Sequence, residues 1–125
     1  MAEDIKILHI DDDEIICKIT KSYLEKEGGF RVQSYLSIED ALSSIGGFIP
    51  DIILVDFMMP DMEGVYSLLN LKADSRLRDV PVVFVTGLDE EEVRQKLGVD
   101  VEGHIKKPYD NETLIREIHN ILNAV

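Results

Sequence analysis

Apolar runs and helical patterns alternate along the whole chain. The runs are "IKILHI" (5–10), "FRVQSY" (30–35), "DIILVDF" (51–57), "VPVVFVT" (80–86) and "EGHIKK" (102–107). The third and fourth are nearly continuous Val, Ile and Leu, the pattern of strands buried on both faces. The second alternates Phe30 and Val32 with polar residues and reads as a half-covered edge strand. Between the runs lie five helical patterns. Residues 14–27 place Ile15, Ile16, Ile19, Tyr23 and Leu24 on one stripe and stop at Gly28–Gly29. Ser37 caps a helix over 37–45, which Gly46–Gly47 ends. A third helix is predicted over 64–73, carrying Val65, Leu68, Leu69 and Leu71. A fourth over 89–97 starts on Asp-Glu-Glu-Glu, and a fifth over 110–123 has Asp110 as its cap and Leu114, Ile118, Ile121 and Leu122 as its apolar face. Five strand–helix units with short connections imply parallel strands, right-handed crossovers and helices on both faces of an α/β sheet.

Composition adds bounds to that picture. The chain has 125 residues, enough for one domain, expected to span 1–125 with its core over about 5–123. Aromatic residues are only 6%, so the core must be aliphatic. No apolar run approaches a membrane span, and "MAEDIK" has neither the basic nor the apolar region of a secretory signal. The single Cys17 rules out an internal disulfide and fits a cytoplasmic location. A net charge of −12 argues against direct nucleic-acid binding and favours cations.

In open parallel sheets the working site lies beyond the carboxyl ends of the strands. Here those ends carry Asp11-Asp12-Asp13, then Asp56, then Thr86-Gly87, then Lys107-Pro108. Two carboxylates about 4 Å apart repel by about 4 kcal/mol at an effective dielectric near 20. Bringing Asp11, Asp12 and Asp56 together therefore demands a proton or a cation among them. With oxygen ligands alone, Mg²⁺ is favoured and Mn²⁺ is an alternative. Capping of the helix near Glu14 by Asp12 or Asp13 is a second explanation of the acidic run, and the two can coexist. A carboxylate beside a metal can act as a nucleophile toward phosphorus, with Lys107 and the Thr86 hydroxyl holding the phosphoryl oxygens.

These residues resemble the response-regulator receiver domain, the CheY-like family of two-component signalling. The resemblance runs from about Ile5 to the C-terminus and rests on "ILHIDDD", "PDIILVDFMMPDMEG", "VPVVFVTG" and "HIKKPY", in that order and spacing. It implies a flavodoxin-like (βα)5 three-layer sandwich with strand order 2-1-3-4-5. It also implies that Asp56 is the phosphoacceptor. Asp12 and Asp56 would ligate Mg²⁺ directly, Asp11 largely through water, and the backbone carbonyl of Met58 would complete the protein ligands. Thr86 would bond the phosphoryl group and Lys107 would pair with it. Lys107–Pro108 would be cis, and Gly87 would leave room for the donor. The implied donor is a sensor histidine kinase or a histidine phosphotransfer protein, with a downstream protein effector. Such a domain is no enzyme in the ordinary sense, since it catalyses only its own phosphorylation and dephosphorylation. A phosphoryl group brings charge and three acceptors. Drawing Thr86 inward would repack the α4–β5–α5 face, with Val93, Leu97, Ile105 and helix 110–123 on the output surface.

Some positions depart from the family. His104 stands where an aromatic switch residue is usual, and reads either as a passive exposed side chain or as a switch tuned by its charge. Met58 and Leu88, which flank the site, cannot orient a water, so a slowly decaying phosphoryl state is expected. His9 is expected as a hydrogen-bonded core histidine, His119 as helix surface, and Cys17 as inert core. A Mg²⁺-dependent phosphohydrolase would want an acid at position 58, which is Met. A nucleotide or flavin module would want a glycine-rich phosphate loop, which is missing. A pseudo-receiver would not need the full set Asp11, Asp12, Asp56, Thr86 and Lys107.

Overall fold

The structure is a computed structural model and describes residues 4–56, 64–97 and 102–124. The strands are β1 (Lys6–Ile10), β2 (Arg31–Tyr35), β3 (Ile52–Asp56), β4 (Val82–Thr86) and β5 (Gly103–Lys106). The helices are α1 (Glu14–Gly28), α2 (Ile38–Ser44), α3 (Gly64–Ala73), α4 (Glu90–Leu97) and α5 (Asn111–Ala124). They alternate strictly, and the five strands form one parallel sheet in the order β2-β1-β3-β4-β5. The order of elements along the chain is the one that the alternation of runs and helical patterns predicts, and the sheet order is the one that the family resemblance implies.

Successive strand side chains point to opposite faces, so each inner strand feeds two cores. Leu8, Ile10, Ile53, Val55, Val82 and Phe84 pack with Ile38 and Ala41 of α2, Leu71 of α3 and Val93 of α4. Ile7, Ile52, Leu54, Val83 and Val85 pack on the other face with Leu24 of α1 and with Leu114 and Ile118 of α5. Gly103 makes the second contact possible at β5, because a Cβ there would lie 2.8 Å from Val83 Cγ2 and 3.0 Å from Ile121 Cδ1.

The helix ends follow the local rules. Asp13 Oδ1 accepts from the Ile15 and Ile16 N–H groups at 2.9 and 3.1 Å, and Gly29 ends α1 in the left-handed region at φ 70°. Ser37 Oγ accepts from the Asp40 N–H, and Asp110 Oδ1 from the Thr113 N–H.

Two sequence expectations are corrected here. Ile15 and Ile19 do not face the core, being 68% and 60% exposed. Ile16 is also exposed, and α1 instead buries Cys17, Thr20 and Leu24. The inward face is thus rotated by one residue from the apolar stripe. Its two small polar members are accommodated by hydrogen bonds: the Cys17 thiol donates to the Asp11 carbonyl, and Thr20 bonds the Tyr109 hydroxyl. Leu69 of α3 is exposed as well. Val93 and Ile105 are fully buried, so they lie beneath the α4–β5 surface rather than on it.

At the amino ends of the strands, Lys72 Nζ donates to the carbonyls of Arg78 and Val80 and pairs with Glu102 at 2.8 Å. Glu102 in turn accepts from the Val82 N–H. Arg76 spans Asp74, Gly46 and Leu42 in the same way. These ties fasten the starts of β4 and β5 to α3 and join α2 to the loop after α3.

Candidate functional site

The chain turns from β1 to β2 on one side and crosses to β3 on the other, so the carboxyl ends of β1 and β3 form the switch point of the sheet. Asp11 and Asp12 leave the first of these strands and Asp56 ends the second. The structure brings one carboxylate oxygen from each of the three to within 4.8 Å of the others. Asp11 is buried, Asp56 half-buried and Asp12 exposed.

Asp11 is the most constrained of the three. Its N–H donates to the Tyr35 carbonyl, its Oδ1 accepts from the Asp13 N–H at 2.9 Å, and its carbonyl accepts from Cys17 Sγ. Burial pushes its carboxyl above the usual range, against the opposing pull of the Asp13 N–H, and Asp56 adds to the rise. Lys107 Nζ lies 3.5 Å from Asp56 Oδ2 and is the cation that the described residues place at this corner. One ammonium faces three carboxylates, so the corner is under-neutralised. Its donors are all oxygens at separations that a small hard cation spans, which is the chemistry of a Mg²⁺ or Mn²⁺ site. Met58 lies outside the described residues.

Thr86 ends β4, is fully buried, and its hydroxyl oxygen accepts from the Leu88 N–H at 3.2 Å. The Thr86 carbonyl accepts from the Lys107 N–H at 2.7 Å, which ties the ends of β4 and β5 together. The Lys107–Pro108 peptide is cis. Gly87 is exposed, with open space where a Cβ would be. His104 is half-buried on β5, and its Nε2 lies 2.7 Å from the Leu88 carbonyl oxygen. Two residues on, Lys106 pairs with Asp89, which holds the Asp89 carboxyl below its usual range. The sequence reading missed that contact, although the period of two along β5 puts His104 and Lys106 on one side.

His9, on β1 below the acids, is buried with Nδ1 3.2 Å from Ser34 Oγ. Burial lowers it to about 4, and Lys107 reinforces the shift, so the ring is neutral at pH 7. Cys17 is buried and its thiol is raised to about 11, again chiefly by burial, which makes it unreactive. His119 is exposed on α5 with its ring 5.4 Å from that of Phe30. The mouth of the site is flanked by an open groove of about 480 Å³ lined by Ile16, Lys107, Pro108 and Tyr109.

A family model described as the response regulator receiver domain matches residues 7–119. The chain belongs to that family. Response regulator Rre1 of Synechocystis is 29% identical over 98% of this chain and 53% of its own length. The phosphate regulon transcriptional regulatory protein PhoB of Escherichia coli is 30% identical over 96% of this chain and 52% of its own. The chain therefore spans about half the length of the curated relatives it matches. Among solved structures, the chemotaxis response regulator CheY4 of Vibrio cholerae superposes with a TM-score of 0.82 at 24% identity, covering 95% of this chain and 99% of that one. The receiver domain of a Pseudomonas aeruginosa sensor histidine kinase, solved with magnesium coordinated in its active-site cleft, gives 0.79 at 20% identity, covering 97% of this receiver and 99% of that one. At those identities the likeness establishes the fold. No described helix of the receiver is long and apolar enough to cross a membrane.

Proposed function

We propose that this receiver takes a phosphoryl group onto Asp56 from a phosphohistidine of a partner kinase or phosphotransfer protein. The observation that carries this reading is the convergence of Asp11, Asp12 and Asp56 within 4.8 Å, with Lys107 3.5 Å from Asp56. An Asp56 carboxylate oxygen forms the new O–P bond as the N–P bond of the donor breaks, and the electron pair returns to the donor imidazole. Asp11, Asp12 and Asp56, with the carbonyl of Met58, would hold Mg²⁺. When bound, the ion supplies positive charge that lets two anions approach each other. Lys107 pairs with the incoming phosphoryl oxygens, and the Thr86 hydroxyl donates to another. The exposed Ile15, Ile16 and Ile19 beside the groove suit the approach of a protein donor. Leu88 and Met58 offer no hydrogen bond to an attacking water, which favours a long-lived acyl phosphate.

Incubation with acetyl phosphate and Mg²⁺ followed by intact-mass measurement tests the proposal. A gain of one phosphoryl group that vanishes in Asp56→Asn, or when the metal is chelated, supports it. A label that persists in Asp56→Asn sinks it.

A further inference from the structure

Helix α1 buries two polar side chains that packing alone does not ask for. A helix face turned to the core is apolar when burial decides it, yet α1 keeps Ile15, Ile16 and Ile19 on its outside. Its buried residues are Cys17, Thr20 and Leu24, and of these Leu24 packs into the apolar core. The other two bond segments that carry the site. The Cys17 thiol donates to the Asp11 carbonyl at 3.2 Å, which fixes α1 to the loop of acids. The Thr20 hydroxyl bonds the Tyr109 hydroxyl, two residues beyond Lys107. Burial raises the Tyr109 phenol, with Lys107 pulling the other way, so the hydroxyl keeps its proton at neutral pH.

Lys107 is the residue that gains from this arrangement. Its ammonium rides on a flexible four-carbon stem and stands 3.5 Å from Asp56 Oδ2, long for a hydrogen bond. Where its backbone sits therefore decides how far the charge reaches. The link between β5 and α5 is tied toward β4 by the Lys107 N–H, which donates to the Thr86 carbonyl at 2.7 Å. Toward α1 it is tied by Tyr109. Helix α1 thus spans the acids and the lysine, with one polar bond to each segment. We propose that Thr20 and Tyr109 are positioning residues for Lys107, a cross-tie that sets the lysine at its distance from the acids by way of α1. This rests on Lys107 pairing with the phosphoryl group. The tie belongs to the two hydroxyls and not to the ring, since a bare phenyl group would pack as well.

The test uses the double variant Thr20→Val with Tyr109→Phe. Removing both hydroxyls orphans neither, so the urea midpoint should stay where it is. Beryllofluoride with Mg²⁺ serves as the phosphoryl probe, read by fluorine NMR, and it leaves out any docking of a protein donor at the groove that Tyr109 lines. Its affinity should fall about fivefold, the size of one neutral hydrogen bond. Mg²⁺ titrated alone should bind the double variant no more weakly than wild type, because the acids are held by Cys17 and by the Asp13 N–H rather than by this tie. Thr20→Ser keeps a hydroxyl and should match wild type throughout. Unchanged beryllofluoride affinity in the double variant overturns the proposal. A parallel loss of Mg²⁺ affinity or of stability also overturns it, because the pair would then be packing, and so does a Thr20→Ser protein as poor as the double variant. The Lys107 amide gives a readout that needs no probe, since its hydrogen exchange should quicken in the double variant and not in Thr20→Ser. An unchanged rate in the double variant overturns the tie. Wild-type protein that does not bind beryllofluoride at all defeats the phosphoacceptor reading instead, and the amide exchange then still decides the tie.

Discussion

Asp11 is where the acidic corner is most expensive, because its buried carboxyl must stay ionised beside Asp56 and Asp12 for the site to bind a cation. Asp11→Asn keeps an oxygen for the Asp13 N–H and removes the charge. Without divalent metal the variant should be more stable than wild type by about 1 kcal/mol at neutral pH, read by urea denaturation. The gain should fade in acid, where the wild-type carboxyl, with its raised folded value, takes up a proton itself. Saturating Mg²⁺ should stabilise wild type more than the variant. His9 works in the opposite direction. Its folded value of about 4 lies below the ordinary 6.5, so the unfolded chain binds the proton first. Stability should therefore fall as pH drops from about 6.5 to about 4, by at most about 3 kcal/mol from this residue, and His9→Leu should flatten that slope. At the mouth, Met58→Asn with Leu88→Glu should shorten the life of the phosphorylated state, followed by loss of the added mass with time. These roles differ in how visible they are in the sequence. Asp11, Asp56 and Thr86 stand out because each follows an apolar run, and Lys107 because Pro108 follows it. The Leu88 carbonyl does not, because a backbone acceptor leaves no mark in the side-chain pattern.

Among the elements, the strands were the easiest to read, since β3 and β4 are buried on both sides and tolerate only apolar residues until the functional one at each end. Helix α1 shows the opposite case. Its apolar stripe points outward, and its true inward face contains a thiol and a hydroxyl that only tertiary hydrogen bonds make acceptable. Periodicity counts side-chain polarity and cannot see a partner supplied by Asp11 or Tyr109. The rotated face makes a sharp prediction. Ile15→Lys and Ile19→Lys should each change stability by less than about 0.5 kcal/mol, whereas Leu24→Ala should cost about 2–5 kcal/mol in the same urea experiment. If the lysines instead slow phosphorylation by a protein donor while leaving acetyl phosphate labelling intact, the stripe serves an encounter rather than the core.

Viewed whole, the molecule has two unlike rims. One carries the acids, Thr86, Lys107 and the turn to which His104 bonds. The other is laced by Lys72, Arg76 and Glu102, whose bonds to backbone carbonyls and to the Val82 N–H hold strands at their starts and helices at their ends. The alternation of runs gave no hint of that lacing, because its acceptors are again peptide groups. The consequence is mechanical. A sheet clamped along one border bends more easily at the opposite one, so a rearrangement triggered by the proposed phosphorylation is expected to spread sideways from β4 to β5 rather than down the strands. Signalling and durability are thereby written into separate margins of the same small body, and loosening the lower hem should make the protein fragile without making it deaf.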